Sequence, residues 1–320
     1  MLSSLAMTLT ELKYIVAVAR ERHFGRAAEA CFVSQPTLSV AIRKLEEELG
    51  VQLFERGSTE VSVTPTGQQI VEQAQRVLEQ TNTIREIARQ GKDPLSGPLR
   101  VGVIYTIGPY LLPNLVRQMI ADASGMPLIL QESFTIKLLE SLRQGDLDVA
   151  ILADPFPDQG LMTQAVYDES FVIAVPRGHP WARREAIGAT ELKSETMLLL
   201  GTGHCFRDQV LEVCPELSRF SQASGGIQKT FEGSSLETIR HMVASGIGVT
   251  VMPMMARPEH VDEGLLSYVP FEPPAPQRRV SLVWRKSFPR LPAIEALRHG
   301  ILSAGLHGVT LLRDAKPQSH

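Results

Sequence analysis

The sequence predicts an α/β protein in which a small helical domain and one long helix precede a larger domain of two lobes. Three observations support this fold class. Apolar residues recur with a helical period over the first fifty residues. From Ile70 to Ala88 they step by alternating four and three residues, which is typical of a coiled-coil seam. After Leu99, strand-like apolar runs alternate with helix-like segments, which favours sheets covered by helices.

Composition limits the kind of protein this is. A chain of 320 residues predicts two or three domains. The net charge of −3 says little about partners, and residues 1–92 hold as many acidic as basic residues, so any binding to nucleic acid depends on local charge placement. Three cysteines suit a reducing compartment. With no signal peptide and no long apolar run, we expect a cytoplasmic protein without a membrane partner.

Three short helices are predicted before Gly50. The first covers 9–19 and the second 26–31. Ser34 is a suitable N-cap for the third, which holds Pro36 in its first turn and ends at Gly50. Two short helices joined by a tight turn form a helix-turn-helix.

The third helix has the chemistry of a helix that reads the major groove of DNA. Glutamine can contact adenine edges, and hydroxyl groups and N-terminal amides can bind phosphates. A hairpin over 53–63 would form a wing whose arginine reaches a phosphate. The predicted DNA-binding residues are Ser34, Gln35, Pro36, Thr37, Ser39, Arg43 and Arg56. The alternative is a generic helical subdomain, since many such helices begin at a serine.

Consecutive motifs in this region resemble the winged helix-turn-helix of LysR-type transcriptional regulators. They are His23-Phe24 through Ala27-Ala28, Val33–Ser39, Ile42–Glu46, Leu49-Gly50, Leu53–Arg56 and Thr64–Gly67. The resemblance implies a DNA-binding regulator whose first domain begins near Met7.

The long helix after Pro65 is expected to join two copies of the chain. Its seam is Ile70, Ala74, Val77, Thr81, Ile84 and Ala88. Packing on its own domain is the alternative. A dimer would set two recognition helices on a palindromic site in double-stranded DNA, with half-sites about one turn apart or a multiple of it. A hinge rich in proline and glycine follows over 91–98.

The rest of the chain predicts two α/β lobes. Alternation over 99–152 predicts a parallel sheet with helices on both faces, and a strand over 171–175 opens the second lobe. The strand 280–284 and the helix 294–303 are expected to return to the first. This architecture resembles periplasmic binding proteins and LysR-type effector domains. The expected bounds are 7–65 for the DNA-binding domain, 66–93 for the linker helix, 94–310 for the effector domain, 98–168 with 274–310 for lobe I, and 169–273 for lobe II.

Two threonines are placed where a ligand cleft is expected. Thr106 follows the first predicted strand of the effector domain, and Thr135 follows the second. Loops at the carboxyl ends of parallel strands meet at the cleft, and their hydroxyl and amide groups can bind a small polar ligand. Helix capping is the alternative role for both.

Cys205 and Cys214 flank a predicted helix over 206–213. The helix dipole, together with His204 and Arg207, is expected to lower the pKa of Cys205. Nine helical residues span about 13 Å, whereas a disulfide needs Cα atoms within roughly 7 Å. A disulfide would therefore require the segment to refold, which is a switch. Two unrelated cysteines are the alternative.

Motifs across the effector domain resemble the hydrogen-peroxide-sensing members of the LysR family. They are Thr106 with Gly108–Pro113, His179–Trp181, Gly203–Gln209 with Cys214, and Ser235–Thr238. The resemblance implies that hydrogen peroxide oxidises Cys205 and that Cys214 then closes a disulfide. It assigns the pocket or its support to His204, Thr106, Arg207, Asp208, Arg279 and Thr135. It further implies an activator of oxidative-stress genes that contacts RNA polymerase as a homodimer or homotetramer, without metal or cofactor.

Three other functions fit parts of the sequence. A thiol peroxidase would use the two cysteines but leave the recognition helix and the seam without a role. A LysR-type regulator of a small organic effector would make the cysteines incidental. A binding protein without a DNA role would make the N-terminal pattern incidental. Cys31 is expected to be buried structure.

Overall fold

The chain folds into two compact units, the first of Met1–Arg89 with Arg143–Gly145 and the second of Gln90–Leu142 with Asp146–His320. A computed structural model describes residues 7–56, 61–90, 95–157, 159–215, 230–233, 235–258 and 264–319. The N-terminal elements are α1 Leu9–Glu21, α2 Phe24–Ala30, α3 Gln35–Leu49, β1 Phe54–Arg56, β2 Val61–Val63 and α4 Pro65–Gln90.

The second unit is built from strands and helices in alternation. Its elements are β3 Leu99–Ile104, α5 Gly108–Asp122, β4 Leu128–Ser133, α6 Thr135–Gln144, β5 Val149–Ala153, β6 Leu161–Pro176, β7 Met197–Leu200, α7 Cys205–Val213, β8 Thr230–Gly233, α8 Leu236–Ala244, β9 Thr250–Pro253, β10 Leu266–Pro270, β11 Gln277–Arg285, α9 Leu291–Ser303, β12 Val309–Leu311 and β13 Gln318–Ser319. Within the described ranges, no helix is long and apolar enough to cross a membrane.

The first three helices form the predicted helix-turn-helix, and their caps explain where they begin and end. Thr8 caps α1 in a capping box with Glu11. The Ser34 hydroxyl accepts a hydrogen bond from the Thr37 amide at 3.3 Å at the start of α3. Gly50 ends α3 with φ 69°, a left-handed conformation that glycine adopts without strain. Strands β1 and β2 pair as the predicted hairpin, whose tip at Gly57 and Ser58 lies outside the described residues.

The long helix α4 forms as predicted, but the first part of its seam is used within its own domain. Ala74 is buried in the core of the N-terminal domain, and Ile70 and Val77 pack partly against that core. Ile84 is 67% exposed, and the Ala88 side chain lies outside the described residues. The packing alternative therefore holds for the first half of the seam, and a partner chain would have to contact the second half.

The strands within 99–152 pair in parallel, as predicted, and they belong to a larger mixed sheet of the effector domain. The strand order is β10-β6-β11-β5-β3-β4, with β9, β12 and β13 also on β6. Among the described strands of this sheet, β3 pairs in parallel with β4 and with β5, whereas β11 runs antiparallel between β5 and β6. Strand β11 and helix α9 join the core of the first lobe, as predicted. A separate core fills the second lobe.

Strand β6 is much longer than the predicted strand over 171–175. It begins at Leu161 and runs through both lobes to Pro176. The consecutive acidic residues Asp168 and Glu169 conceal it in the sequence, since charges are uncommon inside a buried strand. Both carboxylates are paired with arginines on β11, as described below, which allows the strand to continue.

A hydrogen bond joins the two lobes beside the cleft. The Tyr110 hydroxyl on α5 donates to Glu237 Oε1 on α8 at 2.9 Å. Glu237 also pairs with Arg240 at 2.6 Å. The Tyr110 ring packs against the cores of both lobes. Burial raises the pKa of Tyr110, so the hydroxyl remains a donor.

Tyr110→Phe is expected to lower the stability of the effector domain by about 1 kcal/mol, the net contribution of one hydrogen bond. Glu237 keeps its arginine, so no carboxylate is left unpaired. The measurement is the denaturant midpoint followed by tryptophan fluorescence, since both tryptophans, Trp181 and Trp284, lie in this domain. Tyr105→Phe, at an exposed tyrosine, is the control. Equal midpoints for the two variants would show that the lobes do not depend on this bond.

Candidate functional site

A small cavity lies where the carboxyl ends of β3 and β4 meet the N-terminus of α7. Its volume is about 10 Å³, which is room for about one water-sized molecule. It is lined by Ile104, Tyr105, Thr106, Ser133, Phe134, Thr135, Gly203, His204 and Cys205. The structure thus brings together four residues that the sequence analysis selected from three distant segments.

Cys205 is held at this cavity as the first residue of α7. Gly203 turns the chain into the helix with φ 100°, a conformation that a residue with a Cβ rarely adopts. The His204 ring is buried and packs edge-on against Phe134, with ring centroids 4.8 Å apart. Local backbone geometry and aromatic packing together fix the direction of the thiol.

Helix α7 is anchored to both lobes. Arg207 Nη1 donates to the Leu200 carbonyl of β7 at 2.8 Å. Gln209 Nε2 donates to the Asp154 carbonyl, at the end of β5, at 2.8 Å. Arg207 thus supports the position of the helix and is not among the residues that line the cavity. Sequence reasoning missed Gln209, since its partner is remote in the chain.

A buried guanidinium lies beside the thiol. Arg278 Nη1 donates to Thr106 Oγ1, and Nη2 donates to the Thr106 carbonyl, both at 2.9 Å. Its Nε donates to Glu169 Oε2 at 2.9 Å, and the guanidinium lies 5.2 Å from the centre of the Phe206 ring. The positive charge of Arg278 acts on Cys205 to lower its pKa. Arg278 therefore has the environment that the sequence analysis assigned to Arg279.

The assignment of Arg279 to the thiol is wrong in this structure. Its side chain is 52% exposed and forms two hydrogen bonds with Asp168, at 2.8 and 2.9 Å. Successive residues of a strand point to opposite faces, so Arg278 and Arg279 cannot both face the cavity. The sequence contained a signal, because two consecutive arginines on one strand match two consecutive acids on another, but it did not show which arginine is inside.

The expectation of a lowered pKa at Cys205 is also wrong. Burial between the lobes raises the pKa of the thiol above its ordinary value. A hydrogen bond from Thr135, the Arg278 charge and the Phe206 amide act in the opposite direction, and the Asp208 carboxylate raises the pKa further. Asp208 is exposed and does not line the cavity, so the geometry does not place it in the pocket.

Neither threonine is a helix cap. The N-cap of α5 is Ile107, without a side-chain bond, and Thr106 accepts from Arg278 instead. The Thr135 hydroxyl is buried and has no nitrogen or oxygen partner among the described residues. The Cys205 sulfur is the group on which it acts. The Thr106 hydroxyl proton can therefore be directed at a molecule in the cavity, and the Thr135 hydroxyl proton at the sulfur.

The second thiol lies in a different environment. Cys214 is the C-cap of α7 and is 1% exposed within the core of the second lobe. Cys205 packs instead against the core of the first lobe. Neither of them forms a disulfide in this structure, and nor does Cys31. Cys31, expected to be buried structure, packs against the N-terminal core but is only half-buried, and burial raises the pKa of its thiol.

Six of the seven predicted DNA-binding residues lie on α3 or at its N-cap. Ser34, Gln35, Pro36, Thr37 and Arg43 are exposed, and Ser39 is half-buried. The side chain of Arg56 lies outside the described residues. Sequence reasoning missed Val40, which is 65% exposed between the polar residues. An apolar side chain at this place on a recognition helix can contact a thymine methyl group.

Comparison with known protein families covers nearly the whole chain. Residues 9–68 match the family described as bacterial regulatory helix-turn-helix protein, lysR family, and residues 92–304 match the LysR substrate binding domain. A hydrogen peroxide-inducible genes activator of Dickeya chrysanthemi is 40% identical over 295 residues, covering 92% of this chain and 95% of the relative.

Solved structures show the same similarity. Full-length OxyR of Pseudomonas aeruginosa with a cysteine-to-aspartate substitution has 50% identity and a TM-score of 0.73, covering 95% of this chain and 98% of that one. A cysteine-to-serine mutant of Corynebacterium glutamicum OxyR, with H₂O₂ bound, has 33% identity and a TM-score of 0.61, covering 93% and 92%.

Thr135→Val is expected to raise the pKa of Cys205, because the hydroxyl that stabilises the thiolate is removed while the shape is kept. The measurement is the rate of Cys205 alkylation against pH, followed by peptide mass mapping, and the midpoint should move to higher pH.

Thr250→Val is the matched control. Its buried hydroxyl donates to the Leu198 carbonyl at 2.7 Å, away from the thiol. This variant should lose about 1 kcal/mol of stability and keep the midpoint of the native protein. If Thr135→Val also kept that midpoint, the Thr135 hydroxyl would not act on Cys205.

Proposed function

The chain belongs to the LysR family of bacterial transcriptional regulators, and we propose that it is a peroxide-sensing activator of oxidative-stress genes whose sensor is Cys205. Relatives named as peroxide-inducible activators match along almost their full length. Arg278, Thr106 and Thr135 surround the thiol. None of these groups requires a cofactor or a metal for the chemistry described next.

The observation that carries the proposal is a thiol facing a cavity of about 10 Å³ lined by two threonine hydroxyls. Hydrogen peroxide is close to water in size and both donates and accepts hydrogen bonds. An organic effector is far too large for this cavity. The size of the cavity therefore favours peroxide over the alternative of an organic ligand at this place.

The proposed chemistry has two steps. The Cys205 thiolate attacks one oxygen of peroxide, the O–O bond breaks, and the leaving hydroxide takes a proton to become water. The sulfur is oxidised by two electrons to a sulfenic acid while the peroxide is reduced. The Cys214 thiol then loses its proton and bonds to the Cys205 sulfur, and the sulfenic oxygen leaves as a second water. A dithiol reductant such as a glutaredoxin would reset the pair.

Each neighbour of the thiol has a proposed role. The Thr106 hydroxyl, held by Arg278, donates to the peroxide, and the Thr135 hydroxyl and Arg278 stabilise the negative charge on sulfur. Since burial raises the pKa of Cys205, the thiolate fraction and the oxidation rate should increase with pH. His204 and Arg207 act by fixing α7.

The second step requires α7 to unwind. Helical geometry separates the Cα atoms of Cys205 and Cys214 by about 13 Å, and the two side chains pack in different cores. A disulfide therefore forms only in a second local structure. Changed contacts between effector domains would then alter how a homodimer, or a homotetramer built from two of them, sits on a palindromic operator and engages RNA polymerase.

One or two molar equivalents of peroxide are expected to join Cys205 and Cys214 of the native protein in a disulfide. Peptide mass mapping would detect this as a single disulfide-linked pair of peptides. Cys214→Ser should stop at the sulfenic acid, and Cys205→Ser should consume no peroxide. Cys31→Ser is the control and should behave as the native protein. Two free thiols at 205 and 214 after treatment would exclude the mechanism, and many turnovers per chain with a recycling thiol would favour a peroxidase.

Gln35→Ala and Arg43→Ala are expected to weaken binding to palindromic DNA selected from a random pool by about 1–3 kcal/mol each. Lys13→Ala is the control, since it removes one exposed positive charge from α1. Fluorescence anisotropy gives the affinity and the number of chains bound, which should be even. If all three variants bind like the native protein, α3 is not the reading helix; if the control weakens binding equally, only net charge matters.

A further inference from the structure

Building on the proposed chemistry of Cys205, we propose that Glu169 is a positioning residue of the site: it holds Arg278 against Thr106 and neutralises part of its charge, which limits how far Arg278 can stabilise a negative charge on the sulfur. Nothing in the sequence motifs or in the comparisons assigns a role to Glu169. The inference rests on its bonds, its burial and its place in the strand.

Glu169 fixes the guanidinium in one orientation. Its Oε2 accepts from Arg278 Nε at 2.9 Å and lies 2.8 Å from Nη2. Its Oε1 accepts from the Met255 amide at 2.9 Å, which prevents the carboxylate from rotating. The opposite edge of the guanidinium holds Thr106 at both its hydroxyl and its carbonyl. Arg278 is therefore clamped between a carboxylate and the threonine of the cavity.

Burial strengthens the electrostatic effect of the Glu169–Arg278 pair on neighbouring groups. Both side chains are 1% exposed, so water screens them little. Other titratable groups interact with Arg278 from β6, α5 and α7, namely Tyr167, Tyr110 and Cys205, and Asp208 acts on Cys205. Burial raises the pKa of both tyrosines, which keeps them neutral, and Asp208 is exposed. Among these residues, Glu169 and the Cys205 thiolate are thus the two buried anions that one buried cation can stabilise.

The two anions therefore compete for Arg278. With Glu169 ionised, the buried pair is already close to neutral, and a thiolate gains only part of the attraction of the guanidinium. Without the charge of Glu169, the thiolate becomes the remaining buried partner of the cation. Removing this carboxylate should therefore promote ionisation of Cys205, whereas loss of a purely structural residue would not.

The neighbouring pair provides a matched control within the same strands. Asp168 faces Arg279 in the register, as Glu169 faces Arg278. Asp168 and Arg279 also form two hydrogen bonds, but Arg279 is 52% exposed and points away from the cavity. Neutralising Asp168 changes net charge by the same amount, one residue away, without affecting the buried pair.

The test is the pH profile of Cys205 alkylation by iodoacetamide in the full-length protein, followed by mass mapping of the Cys205 peptide. Glu169→Gln removes the charge and keeps one acceptor oxygen, which can serve Arg278, while the acceptor for the Met255 amide is lost. Its midpoint should move to lower pH, and below that midpoint alkylation should be about tenfold faster, as expected for loss of one nearby charge. Asp168→Asn should keep the native profile. A Glu169→Gln midpoint that is unchanged or higher overturns the proposal.

A second variant is used in case Glu169→Gln fails to fold because Arg278 is left as an unpaired buried charge. Glu169→Gln combined with Arg278→Gln has no buried charge at this pair, and its midpoint should lie above that of the native protein, because the cation nearest the sulfur is gone. A midpoint at or below the native one would show that the pair does not act on Cys205. Alkylation needs no peroxide, so this result is independent of whether the proposed peroxide chemistry holds.

Discussion

The register between β6 and β11 is the constraint on which the candidate site depends. It sets Arg278 opposite Glu169 and Arg279 opposite Asp168. Because side chains alternate across a sheet, one pair is buried beside the thiol and the other faces solvent. A shift of one residue would bury the other pair and remove the guanidinium from Thr106. The same pairing lets β6 carry two acidic residues and still run through both lobes.

The cavity is built from both lobes, and this explains the behaviour of the thiol. Lobe I supplies Thr106 and Thr135 at the ends of parallel strands, and lobe II supplies Cys205 at the start of α7. A helix N-terminus favours a thiolate, but here it is buried between lobes, and burial has the larger effect. The positive groups around the sulfur therefore offset a desolvation cost. They do not create a permanently ionised thiol.

Sequence patterns could predict those parts of the fold and site that follow from local chemistry. The caps at Ser34 and Gly50 and the positions of Thr106 and Thr135 after strands depend on nearby residues, and the expected elements formed. Burial and strand register depend on residues far apart in the chain. For that reason the pattern could not choose between Arg278 and Arg279, could not show that Ala74 packs on its own domain, and gave the wrong direction for the pKa of Cys205.

The anchoring of α7 connects the proposed chemistry to a change in the whole domain. Arg207 ties the helix to β7 in one lobe, and Gln209 ties it to the end of β5 in the other. A disulfide between Cys205 and Cys214 cannot form while α7 stays helical. Unwinding α7 would displace the two side chains that anchor it, Arg207 and Gln209. It would also draw Cys214 out of a core in which that residue is 1% exposed. In the proposed mechanism, oxidation of one sulfur atom would therefore change the contact between the two lobes.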